Sequence, residues 1–176
     1  MEAIAHAFAD HGIASVRFNF PFMQAGQRRV DKPEVAMAAI AAAYEYAARR
    51  CSGPLFAGGH SFGGRMTSWA AAENLIAPAG LIFCAFPLHQ PKKPDLKRAA
   101  HLPRIKAPML FLSGTRDDLA DRQLLSRVIS TLDNAQVHWL ETGNHSYVIL
   151  KRTRKHPVDI FTQMGQIART FIDGYT

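Results

Sequence analysis

Ser61 stands in Gly58-Gly59-His60-Ser61-Phe62-Gly63-Gly64, a Gly-x-Ser-x-Gly pattern with a further glycine behind it. The apolar run Pro54-Leu55-Phe56-Ala57 leads into it and reads as a buried strand. Arg65 to Glu73 leads out and reads as a helix. A serine on a sharp strand-to-helix turn presents its hydroxyl to a cleft as a nucleophile, in a strained backbone conformation. A side chain at Gly59 or Gly63 is expected to collide with the other arm of the turn, and Gly64 to let the helix approach the strand. The helix N-terminus directs free N–H groups at the same place, which favours developing negative charge. A phosphate-binding turn is the rival reading. It finds no G-x-x-x-x-G-K-[ST] and no G-x-G-x-x-G behind the first strand.

A serine nucleophile needs a base, and the base needs an acid to orient it. Eight histidines compete for the first role. His138 falls inside an expected strand and His60 fills the variable slot of the turn. His6, His11, His101 and His156 fall in segments expected at the surface. His145, in Gly143-Asn144-His145-Ser146, follows the last expected strand and is the candidate base. Asp117, in Ser113-Gly114-Thr115-Arg116-Asp117, follows another strand and is the candidate acid. Its neighbour Asp118 is the rival. The chain order Ser, Asp, His is the one expected when the three sit at the C-terminal ends of parallel strands.

The elements that must position these residues alternate along the chain. Helices are expected at 2–11, from Pro33 to about Arg50, at 62–75, at 119–132 with Asp118 as N-cap, and from Pro157 to the end. Strands are expected at 13–18, 54–58, 80–86, 108–112 and 135–140. Asn19 to Phe22 and residues 23–32 read as loops. Residues 87–106, with four prolines, read as an excursion with at most a short helix. This alternation predicts one α/β domain over 1–176. Its mostly parallel sheet of about five strands carries helices on both faces.

Composition fits that picture. The chain has 176 residues, long enough for one real core, and an ordinary 48% of hydrophobic residues. The two cysteines, Cys51 and Cys84, form neither a disulfide framework nor a zinc pattern, and Cys84 reads as a buried thiol. Met1 to His6 holds an acid and no basic lead-in, so no signal peptide is expected. The Ala-rich run Val35 to Ala43 is too short to span a bilayer, and a cytoplasmic location is expected. The net charge of +7 permits nucleic-acid binding. The densest basic run, Lys151 to His156, lacks interleaved aromatics and reads as a solvated loop.

At Gly59-His60-Ser61-Phe62-Gly63-Gly64-Arg65 and Gly114-Thr115-Arg116-Asp117 the chain resembles an α/β-hydrolase. It resembles specifically the small dienelactone-hydrolase-like branch, which includes an NSL chromatin-complex subunit and a testis-expressed protein. Phe18-Asn19-Phe20-Pro21-Phe22, Phe86-Pro87-Leu88-His89 and Asn144-His145-Ser146-Tyr147 match further motifs of that branch. The resemblance puts Ser61, Asp117 and His145 on the triad positions and makes the N–H of Phe62 an oxyanion donor. Three departures stand out. The branch often has Lys at His60 and Asp at Asn144, and dienelactone hydrolases proper use a Cys nucleophile. The family's usual first strand and His-Gly loop are also not seen ahead of residue 2. The expectation is an upstream natural start or a weakened catalyst, with a free sheet edge that a second copy of the chain would cover.

The function expected is hydrolysis of a small ester or thioester through an acyl-enzyme, without metal or cofactor. Phe20, Phe22, Phe86 and His89 are the candidate cleft-lining residues. A non-catalytic interaction module on the same fold is the alternative, and the two part on whether Ser61 matters for hydrolysis.

Overall fold

The structure, a computed structural model, describes residues 1–175. Its centre is a four-stranded sheet built from β1 (Phe56–His60), β2 (Gly80–Cys84), β3 (Met109–Gly114) and β4 (Ala135–Leu140), in the order β1-β2-β3-β4. All three pairings are parallel. The two central strands are buried along their whole length. Their near-continuous apolar sequences, Gly-Leu-Ile-Phe-Cys and Met-Leu-Phe-Leu-Ser-Gly, are what a strand covered on both faces requires.

Helices supply the two covers. On one face lie α3 (Pro33–Ala48), α4 (Phe62–Ala72) and α5 (Arg122–Ile129), with Met66, Ala70, Phe83, Phe86, Phe111 and Leu125 in one core. The rings of Phe83, Phe86 and Phe111 meet at centroid distances of 5.0 to 5.5 Å. Each is fully buried, and burying such a side chain contributes about 1.5–3 kcal/mol. On the other face α1 (Glu2–Ala9) and α6 (Ile160–Asp173) pack together over Ile82, Leu110 and Leu112. Ile160, Met164, Ala168, Phe171 and Ile172 recur at helical spacing and form the inner stripe of α6. Asp159 caps that helix by accepting the N–H groups of Phe161 and Thr162.

Several elements differ from expectation. Residues 13–18 alternate like a strand but join no ladder, so the sheet has four strands rather than about five. Alternation shows that a segment can lie half-buried. It does not supply the neighbour whose N–H and C=O groups complete a strand. Val16 and Phe18 accordingly remain exposed. The expected loop at 19–22 enters a one-turn helix, α2 (Pro21–Gln24), because Pro21 at the first helical position carries a backbone angle already suited to it. Helix α5 starts later than expected, capped by Asp121 and not Asp118: the Asp121 carboxylate accepts the Leu124 N–H at 2.9 Å. The terminal helix likewise begins at Ile160, three residues past Pro157.

The excursion between β2 and β3 holds two 3-10 turns, Lys97–Ala99 and Leu102–Arg104. It brings His101 inside, against the surface expectation. His101 is 2% exposed, stacks on Trp69 with 4.1 Å between ring centroids, and lies 2.7 Å from the Ser68 hydroxyl. The basic run before α6 is a loop whose Lys155 and His156 N–H groups donate to the Glu141 carboxylate. Among the described residues no helix is long and apolar enough to cross a membrane.

Candidate active site

β1, β3 and β4 run in the same direction, so their C-terminal ends share one edge of the sheet. Ser61 follows β1 directly, Asp117 follows β3 by three residues, and His145 follows β4 by five. Their side chains meet. The imidazole Nε2 of His145 lies 2.7 Å from the Ser61 Oγ. Its Nδ1 lies 3.0 and 2.9 Å from the two carboxylate oxygens of Asp117. With Nδ1–H donating to the carboxylate, Nε2 is left to accept the serine proton.

The backbone explains why the serine is available. Ser61 holds φ 52° and ψ −119°, a region that costs a non-glycine residue about 1–3 kcal/mol and persists only when its surroundings enforce it. The Ser61 N–H donates to the Cys84 carbonyl at 2.9 Å, tying the turn to β2. Ser61 also occupies the N-cap position of α4, where a serine ordinarily spends its hydroxyl on an N–H of the first turn. Here it makes no capping bond, and the hydroxyl points to His145. The N–H of Phe62, first in α4, finds no acceptor among the described residues.

Glycine at the turn is demanded at Gly59 and at Gly64, and not at Gly63, where a collision was expected. A Cβ at Gly59 would lie 2.9 Å from the backbone of Gly63 and Gly64, and one at Gly64 would lie 2.6 Å from the Gly59 carbonyl oxygen. A Cβ at Gly63 would meet only the Phe20 ring at 3.5 Å, an ordinary contact. The expected collision at Gly63 is absent because that residue faces the aromatic side of the turn and not the strand.

The acid is well enclosed. The Asp117 side chain is fully buried, while that of His145 is 19% exposed, so of this pair His145 reaches solvent. Asp117 Oδ1 also accepts the Leu119 N–H at 2.9 Å, which fixes the carboxylate. Asp118 is exposed, and its side chain makes no hydrogen bond or ion pair to His145. The His145 loop carries Thr142 and Tyr147 at positive φ and is braced by the Asn144 carboxamide accepting the Ser146 and Val148 N–H groups and by the Tyr147 hydroxyl donating to the Leu112 carbonyl. Neither role of Asn144 or Tyr147 was anticipated. An Asn two residues before a loop serine is the available signal for the first.

The expected lining residues separate. Phe20 and Phe22 are half-buried beside the turn, each in an edge contact with the Phe62 ring at 5.4 and 6.1 Å. Phe86 does not line the cleft: it is 0% exposed and belongs to the core, where the turn after β2 sets it against Phe83 and Phe111. His89 is buried with both ring nitrogens engaged, Nδ1 with the Gln90 carbonyl and Nε2 with the Asp121 N–H. It borders a cavity of about 230 Å³ behind the acid, together with Lys92, Pro94, Asp117, Asp118 and Asp121. Burial pushes the Cys84 thiol up to about 12, so it stays protonated. Among the described residues no cluster of three or more His, Cys, Asp or Glu could hold a metal ion.

A strand-turn-helix serine hydrogen-bonded to a histidine, which in turn meets a buried aspartate, at the strand ends of a parallel sheet, defines a class: the α/β hydrolases. The family model described as alpha/beta hydrolase domain matches residues 1–173, and the chain belongs to that family. Solved structures agree on the fold. An alpha-beta serine hydrolase homologue from Coxiella burnetii superimposes with a TM-score of 0.69 at 18% identity, over 97% of this chain and 73% of that one. A serine hydrolase without a lid from Xanthomonas campestris gives 0.65 at 22% identity, over 98% and 70%. Est1E from Butyrivibrio proteoclasticus, with ferulic acid bound, gives 0.70 at 13% identity, over 99% and 82%.

Proposed function

We propose that residues 1–176 form one catalytic domain, a serine hydrolase that cleaves small ester or thioester substrates through an acyl-enzyme. The unbroken chain of contacts from Ser61 Oγ through His145 to Asp117 carries this reading. Ser61 Oγ attacks the acyl carbon while His145 Nε2 takes its proton. The tetrahedral oxyanion meets the free N–H of Phe62 at the positive end of α4. The carbon–oxygen or carbon–sulfur bond breaks, and His145 returns the proton to the departing alcohol or thiol. A water then loses a proton to His145 and attacks the ester on Ser61, releasing the acid and restoring the hydroxyl.

Phe20, Phe22 and Phe62 give the substrate an apolar wall beside the nucleophile. Est1E binds ferulic acid, an aromatic carboxylic acid, and a wall of this kind suits an aromatic acyl group. The Phe18-Asn19-Phe20-Pro21-Phe22 and Asn144-His145-Ser146-Tyr147 motifs support membership of the dienelactone-hydrolase-like branch, with serine where dienelactone hydrolases proper use cysteine. The test is hydrolysis of p-nitrophenyl acetate by the wild type and by Ser61→Ala. A working triad loses about 10⁴- to 10⁶-fold in turnover on that change. Equal rates in the two proteins would overturn the proposal.

A further inference from the structure

His60 occupies the variable slot of the Gly-x-Ser-x-Gly turn, where any side chain satisfies the motif. Its ring does something specific. His60 Nε2 lies 2.9 Å from the backbone carbonyl oxygen of His145, eighty-five residues away in the chain. The two imidazoles are 5.3 Å apart, and the Tyr147 ring stands edge-on to His60 at 5.8 Å. A carbonyl only accepts, so the proton must be on Nε2. Burial holds the His60 pKa below its ordinary value, and the ring is a neutral donor at neutral pH.

This bond is the sole hydrogen bond to the His145 carbonyl among the described residues. The loop it grips needs holding. Thr142 (φ 58°) and Tyr147 (φ 63°) flank His145 in backbone conformations that relax unless the surroundings enforce them. Two links therefore join the nucleophile's strand to the base's loop. One is the Ser61–His145 side-chain bond at 2.7 Å, and the other is the His60 bond to the backbone.

The two links behave differently through the reaction, and this comparison rests on the acyl-enzyme reading above. In the free enzyme both are present. Once Ser61 is acylated, its Oγ is an ester oxygen with no proton to donate, and the first link is lost. His145 must still point Nε2 at a water to begin deacylation. We propose that His60 is a positioning residue that holds the His145 loop in register during that half-reaction. It touches no reacting atom, and it acts through the His145 backbone.

The experiment compares His60→Leu, which removes the donor, with His60→Gln, whose amide nitrogen reaches about as far as Nε2 and restores it. Folding is checked by circular dichroism and melting temperature. Stopped-flow release of p-nitrophenolate from p-nitrophenyl acetate separates acylation (the burst) from deacylation (the steady state). Hydrogen exchange at the amides of residues 143–148 reports the loop without reference to catalysis. One neutral hydrogen bond is worth about five- to tenfold in a rate. The expected result is a deacylation rate lowered about that much in His60→Leu, with the burst rate changed less than about twofold. Exchange in 143–148 should be faster, and both effects should reverse in His60→Gln. Equal deacylation and exchange in His60→Leu and wild type would overturn the proposal, as would equal losses in Leu and Gln. If the wild type shows no burst and no acylated Ser61, the hydrolase reading fails. The exchange data then decide by themselves: unchanged protection in His60→Leu removes the anchor as well.

Discussion

The Asp117 carboxylate meets His145 Nδ1 through both of its oxygens, at 2.9 and 3.0 Å, while Asp118, one residue on, faces solvent. A one-residue difference in a loop thus separates a buried, oriented acid from a surface charge. The Leu119 N–H on Oδ1 holds the carboxylate in this pose.

Asp117→Asn preserves the shape but puts an amide where an anion stabilised the imidazolium. Turnover of p-nitrophenyl acetate should fall by about 10³- to 10⁴-fold. Asp118→Asn changes an exposed group and should stay within about twofold of the wild type. Steady-state kinetics of both variants check this pair. A large loss at Asp118 with little at Asp117 would reverse the assignment.

The glycines of the turn divide in the same way. Gly64→Ala drives a Cβ to 2.6 Å from the Gly59 carbonyl, backbone against backbone, and neither arm can yield without moving Ser61. A loss of about 1–3 kcal/mol in unfolding free energy, with loss of activity, is expected. Gly63→Ala places its methyl at 3.5 Å from the Phe20 ring and should fold normally. Chemical denaturation of the two proteins measures the contrast.

His101 makes stability depend on acidity. Buried and near Arg104 and Arg65, it has a pKa lowered from the usual 6.5 to about 4. Between those values the unfolded chain binds a proton that the folded chain refuses. Stability therefore rises with pH through this window, and this contribution is lost as pH falls from about 6.5 to about 4. The cause is local: Nε2–H already serves the Ser68 hydroxyl, and Nδ1 is buried with no partner for a second proton. Melting temperature followed over pH 4 to 7 should show the slope, and His101→Phe should flatten it. An unchanged slope in that variant would assign the acid sensitivity elsewhere.

The sheet core and the site were legible to different depths. β2 and β3 stand out because apolar runs bounded by turns leave little else for buried strands to be. The strand ends then place Ser61, Asp117 and His145 together before any distance is known. Local pattern could not reveal what partners decide. Residues 13–18 have strand alternation but no ladder. The helix start moved from Asp118 to Asp121 because residues 117–120 are held in the acid's own turn, where Asp117 accepts the Leu119 N–H. Phe86 follows its strand by two residues and looked exposed to the cleft. Ala85 at φ 50° turns the chain so that the Phe86 ring enters the core instead. His60 and His101 gained their roles from contacts with residues 85 and 33 positions away, which no window of sequence contains.

The central claim is that Ser61 is an activated nucleophile, and covalent labelling tests it most directly. The folded protein would be treated with a fluorophosphonate, weighed intact and peptide-mapped. The account predicts one adduct, on Ser61, absent in Ser61→Ala and strongly slowed in Asp117→Asn. No adduct on a folded sample, or an adduct that survives Ser61→Ala, would contradict it.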